Sequence, residues 1–128
     1  MKELLVDTHI LLWWLANDTR LSQNIMALIG DPENVIYVSA ASIWEAAIKR
    51  KLGKLSFEDA ALFEVLLNGD WQVLSMTIQH ALIAANLPPH HHDPFDRMLI
   101  AQALHEDLTL ITHDKMLKFY EVPIIWVE

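Results

Sequence analysis

Short runs of apolar residues alternate along the chain with longer segments whose apolar residues recur at helical spacing. Five of these runs have the length and the β-branched or aromatic content of strands, at residues 3–6, 35–38, 71–75, 108–112 and 122–127. Because polar residues do not interrupt most of these runs, both faces of the strands are predicted to be buried. This pattern is typical of an α/β fold with a mostly parallel sheet that helices cover on each side.

The segments between these runs begin at residues that commonly cap helices. Ser22 and Ser39 are each predicted to cap the N-terminus of a helix. Ser56 and Asp59 are predicted to form a capping box that opens a helix over 56–69. The other helical segments are predicted at residues 8–17, 21–31, 40–52, 77–86, 93–106 and 114–120.

The composition is that of a single globular domain over residues 1–128. Of the 128 residues, 53% are hydrophobic and 20% charged, which provides ample apolar material for one core. The chain has no cysteine, which suits a reducing compartment. Glu3 and Asp7 interrupt the apolar N-terminus, and no run approaches the roughly 18–20 apolar residues of a membrane span. We therefore predict a soluble, cytoplasmic protein without a membrane partner.

The net charge of −8 argues against broad, non-specific DNA binding, which needs a positive surface. It is compatible with carboxylates that gather in one place and hold a cation. A dense basic run contains Lys49, Arg50, Lys51 and Lys54. These residues are either the solvated end of a helix or contacts for a phosphate backbone.

Acidic residues follow the predicted strands at the edge where a parallel sheet binds ligands. Asp7 comes directly after the first strand, and Asp114 lies two residues after the run at 108–112. Glu45 and Asp96 lie on helices that also approach this edge. Four carboxylates this close would repel one another without a counter-ion. The hard cations Mg²⁺ and Mn²⁺ prefer such oxygen ligands, so the pattern indicates a metal site of the kind used in phosphodiester hydrolysis.

Local structural roles are also open to most of these acids. Asp93 is a good N-cap before Pro94, and Asp96 is placed to interact with the helix dipole. Glu45 can pair with Lys49 across one helical turn, and Asp114 can cap its own short helix. Asp7 is the hardest to explain locally, because an acid directly after a buried strand needs a partner.

The histidines are ambiguous. His90, His91 and His92 are adjacent, and no cysteine completes a common zinc set, so we expect a loop with exposed imidazoles rather than a zinc site. One of these imidazoles could bond near Asp93. His9 and His113 lie near the acidic edge and could donate protons, support a metal or bond locally.

Three tryptophans lie on helices near the acidic edge, at Trp13, Trp14 and Trp44. Aromatic residues in a helical stripe are usually buried, so we expect them to pack in the core or in an oligomer interface. Base stacking is the alternative role.

Four stretches of the sequence resemble the successive motifs of PIN-domain proteins, above all the VapC-type ribonuclease toxins of toxin–antitoxin pairs. They are LLVDTHILLWWL, VSAASIWEAAIKRKLGKL, LPPHHHDPFDRMLIAQAL and LTLITHDKML. The resemblance implies a three-layer α/β/α sandwich and a Mg²⁺- or Mn²⁺-dependent endoribonuclease that hydrolyses RNA with metal-activated water. Its acidic residues map to Asp7, Glu45, Asp96 and Asp114. Asp7 and Asp96 correspond to the principal metal ligands, and Thr112 to a hydroxyl that orients the last acid.

The resemblance also implies an RNA substrate, a homodimer and a cognate antitoxin whose arginine arm satisfies the carboxylates. Thr8 and Asp93 are expected to support the site, and Lys49, Arg50 and Lys51 to contact RNA phosphates. Arg97 is expected to pair with an acid or a phosphate, or to form a structural salt bridge.

Two other functions fit part of the pattern. A receiver-type signalling domain is also doubly wound and binds Mg²⁺, but it needs paired acids after its first strand, where this chain has Thr8 and His9. A non-catalytic module that docks a protein partner in the acidic groove fits the same residues. Metal-dependent RNA cleavage would separate that module from a nuclease.

Overall fold

The computed structural model of the protein describes residues 1–69 and 71–127, apart from the side chain at position 68. Its centre is a five-stranded sheet of order β3-β2-β1-β4-β5, in which every neighbouring pair is parallel. The strands are β1 (Glu3–Val6), β2 (Val35–Ser39), β3 (Trp71–Leu74), β4 (Thr109–Thr112) and β5 (Ile124–Trp126). This confirms the predicted parallel sheet. Its order differs from the 2-1-3-4-5 order of receiver-type domains, so that alternative is excluded.

Helices connect the strands across both faces of the sheet. The α-helices are α1 (Thr8–Leu15), α2 (Gln23–Gly30), α3 (Ala40–Lys51), α4 (Asp59–Phe63), α5 (Ile78–Asn86) and α6 (Pro94–Glu106). A π-helical turn (Glu64–Asn68) follows α4, and a 3₁₀ helix (Lys115–Phe119) precedes β5. In the described part of the chain, no helix is long and apolar enough to cross a membrane.

Two hydrophobic clusters lie on opposite faces of the sheet. On β1, Leu4 and Val6 belong to the cluster that includes residues of α1 and α2. Leu5 points to the other face and packs with Leu99 and Ile100 of α6. Because side chains alternate along a strand, β1 contributes residues to both hydrophobic clusters. The protein is a three-layer α/β/α sandwich, as predicted.

Several helix caps agree with the sequence. The side chains of Ser22 and Ser39 accept hydrogen bonds from backbone N–H groups at the start of α2 and α3. Asp93 caps α6, and Pro94 occupies its first turn. These caps fix where α3 and α6 leave the edge of the sheet, and both helices carry acidic candidates.

The prediction of one helix over 56–69 with a Ser56–Asp59 capping box is wrong. The α-helix begins only at Asp59, and its N-cap is Glu58, whose side chain makes no capping bond. Asp59 instead forms an ion pair with Arg50, 2.5 Å away. The helix then widens into the π-helical turn over Glu64–Asn68. The α-helix therefore starts three residues later than the local pattern predicts.

The expectation that the tryptophans are buried holds for part of the set. Trp13 is buried, and Trp14 packs against the same core. Trp44 is 59% exposed, so it does not pack in the core of this chain, and its place in an oligomer interface stays a prediction. Its ring packs edge-on against Phe95, 5.4 Å between ring centres.

Candidate active site

Asp7 lies at the carboxyl end of β1 and caps α1. One carboxylate oxygen accepts the Ile10 N–H at 2.9 Å, and the other accepts the hydroxyl of Thr112 on β4. The residue is only 4% exposed, and burial raises the pKa of its carboxyl although both hydrogen bonds act to lower it. The partner that a buried acid requires is therefore supplied in part by Thr112.

Glu45 reaches the same edge from α3 and is also 4% exposed. One oxygen accepts the Thr8 hydroxyl at 2.6 Å, which gives Thr8 the supporting contact expected of it. The other oxygen pairs with Lys49 at 2.9 Å, so the predicted helical pair is present. A buried carboxylate is thus fixed by one neutral and one charged donor.

Asp93 and Asp96 come from the first turn of α6. Asp93 accepts the N–H groups of Phe95 and Asp96 at 2.8 and 3.1 Å, which confirms its capping role. The pKa of Asp96 is raised to about 7, first by burial and then by the negative charges of Asp93, Glu45 and Asp114. The ionised form of Asp96 is therefore disfavoured, because the carboxyl is partly buried and has other acids around it.

Asp114 begins the 3₁₀ helix, whose Met116 N–H it accepts at 3.0 Å. Partial burial acts to raise the pKa of Asp114, but the hydrogen bonds from His91 and Met116 lower it more strongly. Thr112 does not touch this carboxylate. Its oxygen accepts the backbone N–H of Asp114 at 3.0 Å while its hydroxyl donates to Asp7. Thr112 thus links two acids, one of them through the backbone.

These side chains line one open cavity of about 360 Å³. The acids expected to converge do so, although two of them lie on α3 and α6 and the other two cap the starts of α1 and the 3₁₀ helix. The lining consists of Asp7, His9, Glu45, Lys49, Asp93, Asp96, His113, Asp114 and Lys115.

The cationic candidates have different surroundings. Lys49 lines the cavity, whereas Arg50 lies against Asp59 and over the ring of Phe57. Lys51 is exposed at the end of α3. The structure therefore places one of the three predicted phosphate contacts at the cavity.

Arg97 makes contacts that the sequence did not predict. Its guanidinium donates to four backbone carbonyls at 2.8–3.1 Å, those of Ala84, Leu87, Pro88 and His91. The expected pairing with an acid or a phosphate is replaced by these bonds, which join α6 to the C-terminal end of α5 and the segment after it.

His91 is the main candidate residue that the sequence did not reveal, and its imidazole is half-buried rather than exposed as expected. Its Nε2 lies 2.9 Å from Asp114 and 3.0 Å from Asp96. The bond predicted between one imidazole and the region of Asp93 exists, because the Asp93 N–H donates to His91 Nδ1 at 3.1 Å. The short spacing between His91 and the Asp93 cap was the available signal.

His9 and His113 both line the cavity, with their ring centres 5.1 Å apart. His113 also packs on Trp13 at 4.8 Å. Ligand atoms of Asp7, His9 and His113 lie within 4.8 Å of one another. The two rings therefore form one wall of the acidic cavity.

The family model of the PIN domain matches residues 4–124. The chain belongs to the PIN-domain family. The match covers nearly the whole sequence, so the resemblance seen in its motifs is confirmed at the level of the family. The comparison with curated proteins gave no significant match for this PIN domain.

Solved structures similar to this PIN domain include components of toxin–antitoxin complexes. VapBC2 from Rickettsia felis, solved with a DNA fragment from its promoter, has a TM-score of 0.73 and 13% identity over 98% of this chain and 99% of that chain. A toxin–antitoxin complex from Klebsiella pneumoniae has a TM-score of 0.68 and 20% identity over 97% of each chain. VapBC-1 from nontypeable Haemophilus influenzae has a TM-score of 0.66 and 18% identity over 97% of each chain. At these identities the likeness establishes the fold.

The donor set of this PIN domain fits a hard divalent ion, as is typical of PIN domains. Four carboxylates provide oxygen ligands around one cavity. The pKa values of Asp7 and Asp96 are raised, chiefly by burial, so the protein alone does not fully stabilise their charged forms. A cation in the cavity would offset both burial and mutual repulsion.

Proposed function

We propose that this protein is a Mg²⁺- or Mn²⁺-dependent endoribonuclease and the toxin of a toxin–antitoxin pair, acting on RNA in the cytoplasm. The observation that carries the proposal is the cavity at which Asp7, Glu45, Asp96 and Asp114 converge from four separate elements of a PIN domain. Buried carboxylates with raised pKa values at one edge of a sheet are typical of functional sites rather than of surface decoration.

In this proposal Asp7, Glu45, Asp96 and Asp114 hold the divalent ion. When bound, such an ion supplies charge stabilisation at the phosphodiester and lowers the pKa of water. The protein keeps its ligands in place through Thr112 on Asp7, and through Thr8 and Lys49 on Glu45. Asp93 fixes the first turn of α6 and so places Asp96 at the cavity.

The remaining polar groups define how RNA would lie. Lys49 and Lys115 line the cavity and would contact the phosphates beside the scissile bond. Asp114, whose pKa is lowered, stays ionised at neutral pH and would orient the attacking water. Lys51, exposed two residues after Lys49 on α3, is a further proposed phosphate contact.

The proposed partners follow from the kinds of complexes that share this fold. VapBC2 and VapBC-1 are toxin–antitoxin complexes, which supports a cognate antitoxin for this chain. An arginine of that antitoxin would pair with the carboxylates of the cavity and silence it. The exposed ring of Trp44, packed on the half-buried Phe95, would provide an apolar surface for the antitoxin or for the second subunit of a homodimer.

RNA cleavage by purified, antitoxin-free protein tests the proposal. Wild-type protein should cut RNA with Mn²⁺ or Mg²⁺ and lose activity in chelator, and Asp96→Asn should be inactive. Asp107→Asn is the matched control, because Asp107 is exposed at the other end of α6 in a left-handed conformation that asparagine tolerates. Equal cleavage by wild type and Asp96→Asn would contradict the proposal. Absence of metal-dependent cleavage would favour the non-catalytic docking module.

A further inference from the structure

His91 lies in the segment between α5 and α6 and approaches two acids of the cavity at once. Its Nε2 is 2.9 Å from an oxygen of Asp114 and 3.0 Å from an oxygen of Asp96. These acids belong to different elements, the 3₁₀ helix and α6. A single ring nitrogen therefore bridges two carboxylates that would otherwise repel each other.

The hydrogen bond at the other ring nitrogen, Nδ1, determines whether Nε2 carries a proton. His91 Nδ1 accepts the backbone N–H of Asp93 at 3.1 Å. An accepting nitrogen carries no proton, so Nε2 carries the proton and points it between Asp96 and Asp114. In this arrangement Nε2 offers no lone pair to a metal. The ring is a hydrogen-bond donor to the acids rather than an additional ligand.

The direction of approach leaves the cavity open. Asp96 and Asp114 line the cavity, whereas His91 is not among the lining residues that the structure describes. His91 thus bonds the two carboxylates without itself lining the cavity. Lone pairs that it does not use remain available on the cavity side, because a carboxylate offers about four acceptor positions.

The backbone of His91 is fixed at both of its polar groups. Its N–H donates to the hydroxyl of Tyr120 at 2.9 Å, and that hydroxyl donates to the Pro88 carbonyl at 2.7 Å. Its carbonyl accepts from Arg97 at 3.1 Å. Arg97 and Tyr120 come from α6 and from the end of the 3₁₀ helix, the two elements that carry the bridged acids. The residues that hold the backbone of His91 therefore come from the same two elements as the acids that its ring connects.

We propose that His91 is a positioning residue of the metal centre, whose Nε2–H holds Asp96 and Asp114 at the separation and orientation that bind the ion. This inference rests on the proposed metal-dependent function. Donors that orient metal ligands in this way typically change metal affinity 10–100-fold when they are removed.

Three variants separate this role from simple packing of the loop. His91→Asn keeps an acceptor for the Asp93 N–H but is too short to reach the acids. His91→Gln keeps a donor near the position of Nε2. His92→Asn is the matched control at the exposed neighbouring histidine. Calorimetric titration with Mn²⁺ gives the affinity, and urea unfolding in chelator reports any loss of folding.

We expect the Mn²⁺ Kd of His91→Asn to rise about 10–100-fold, while His91→Gln and His92→Asn stay close to wild type. Two-bond ¹H–¹⁵N NMR of the chelated wild type at pH 8 should show the proton of His91 on Nε2. Wild-type or tighter Mn²⁺ binding by His91→Asn would overturn the inference, as would a proton on Nδ1 alone. If wild type itself bound no Mn²⁺ and cleaved no RNA, the proposed function would fail and take this role with it.

Discussion

Thr112 occupies the point where two of the acids meet. Its hydroxyl donates to the buried carboxylate of Asp7, and its oxygen accepts the backbone N–H of Asp114. One small side chain thus connects the end of β1 with the start of the 3₁₀ helix. Valine has nearly the same shape but can make neither bond, so Thr112→Val removes both hydrogen bonds with little change in side-chain volume.

Thr112→Val should lower the free energy of unfolding by about 1–3 kcal/mol, because Asp7 and the Asp114 N–H would lose a buried partner. It should also weaken metal-dependent RNA cleavage. Urea unfolding in chelator measures the first effect. Thr109→Val, at the half-buried start of the same strand, is the control and should change stability little. A Thr112→Val midpoint equal to that of wild type would contradict this account of Asp7.

The raised pKa of Asp96 makes the metal-free protein sensitive to pH. In the folded state this carboxyl keeps its proton up to about pH 7, whereas the unfolded chain loses it near 3.8. Between these values the folded state binds more protons, so the free energy of unfolding falls as pH rises. In chelator, raising the pH from 5 to 8 should therefore destabilise wild type relative to Asp96→Asn by about 2–3 kcal/mol.

Thermal or urea unfolding of both proteins at pH 5 and pH 8 measures this difference. Taking wild type minus Asp96→Asn removes the contribution of titrating groups that do not contact Asp96. Mn²⁺ added at pH 8 should restore stability to wild type, because the ion binds the ionised form of the folded state. A wild type that follows the same pH dependence as Asp96→Asn would show that burial does not perturb this carboxyl.

At the scale of secondary structure, Arg97 holds in place the segment that connects α5 to α6. Its planar guanidinium satisfies carbonyls at the C-terminal end of α5 and in the segment after it, including that of His91. Lysine keeps the charge but lacks the fork of donors. The arginine is therefore a structural element of the site without touching an acid.

Arg97→Lys should lower the free energy of unfolding by about 1–3 kcal/mol and weaken Mn²⁺ binding, because the His91 segment would lose its support. Arg20→Lys is the control, since Arg20 is exposed and its guanidinium bonds the nearby Asp18 and lies over the Trp13 ring, whereas that of Arg97 holds backbone carbonyls. Its stability should stay within about 0.5 kcal/mol of wild type. Urea unfolding and calorimetry test both effects, and unchanged values in Arg97→Lys would refute the structural role.

Elements with strong local signals were predictable from the sequence. The Asp93-Pro94 pair placed the start of α6, and Ser39 placed the start of α3, because capping depends on residues next to the helix. The segment after Ser56 was not predictable. Its helix starts at Asp59, a residue that pairs with Arg50 of α3, and no local pattern contains that contact.

Across the whole molecule, parallel topology made the convergence of the acids predictable. Once β1 and β4 are neighbouring parallel strands, Asp7 and the residues after Thr112 must share one edge of the sheet. The position of His91 depended on the packing of one loop against Tyr120 and Arg97. The contact with Tyr120 joins residues far apart in the sequence, so the sequence alone did not distinguish His91 from the two histidines beside it.

Anomalous diffraction from crystals grown with Mn²⁺ would locate the proposed ion. If Asp7, Glu45, Asp96 and Asp114 together form a divalent metal centre, we expect a manganese peak in the acidic cavity. The peak should lie within about 2–2.5 Å of carboxylate oxygens, and no such peak should be present there in Asp96→Asn crystals. A cavity without manganese in well-ordered wild-type crystals, or an identical peak in the variant, would contradict the account.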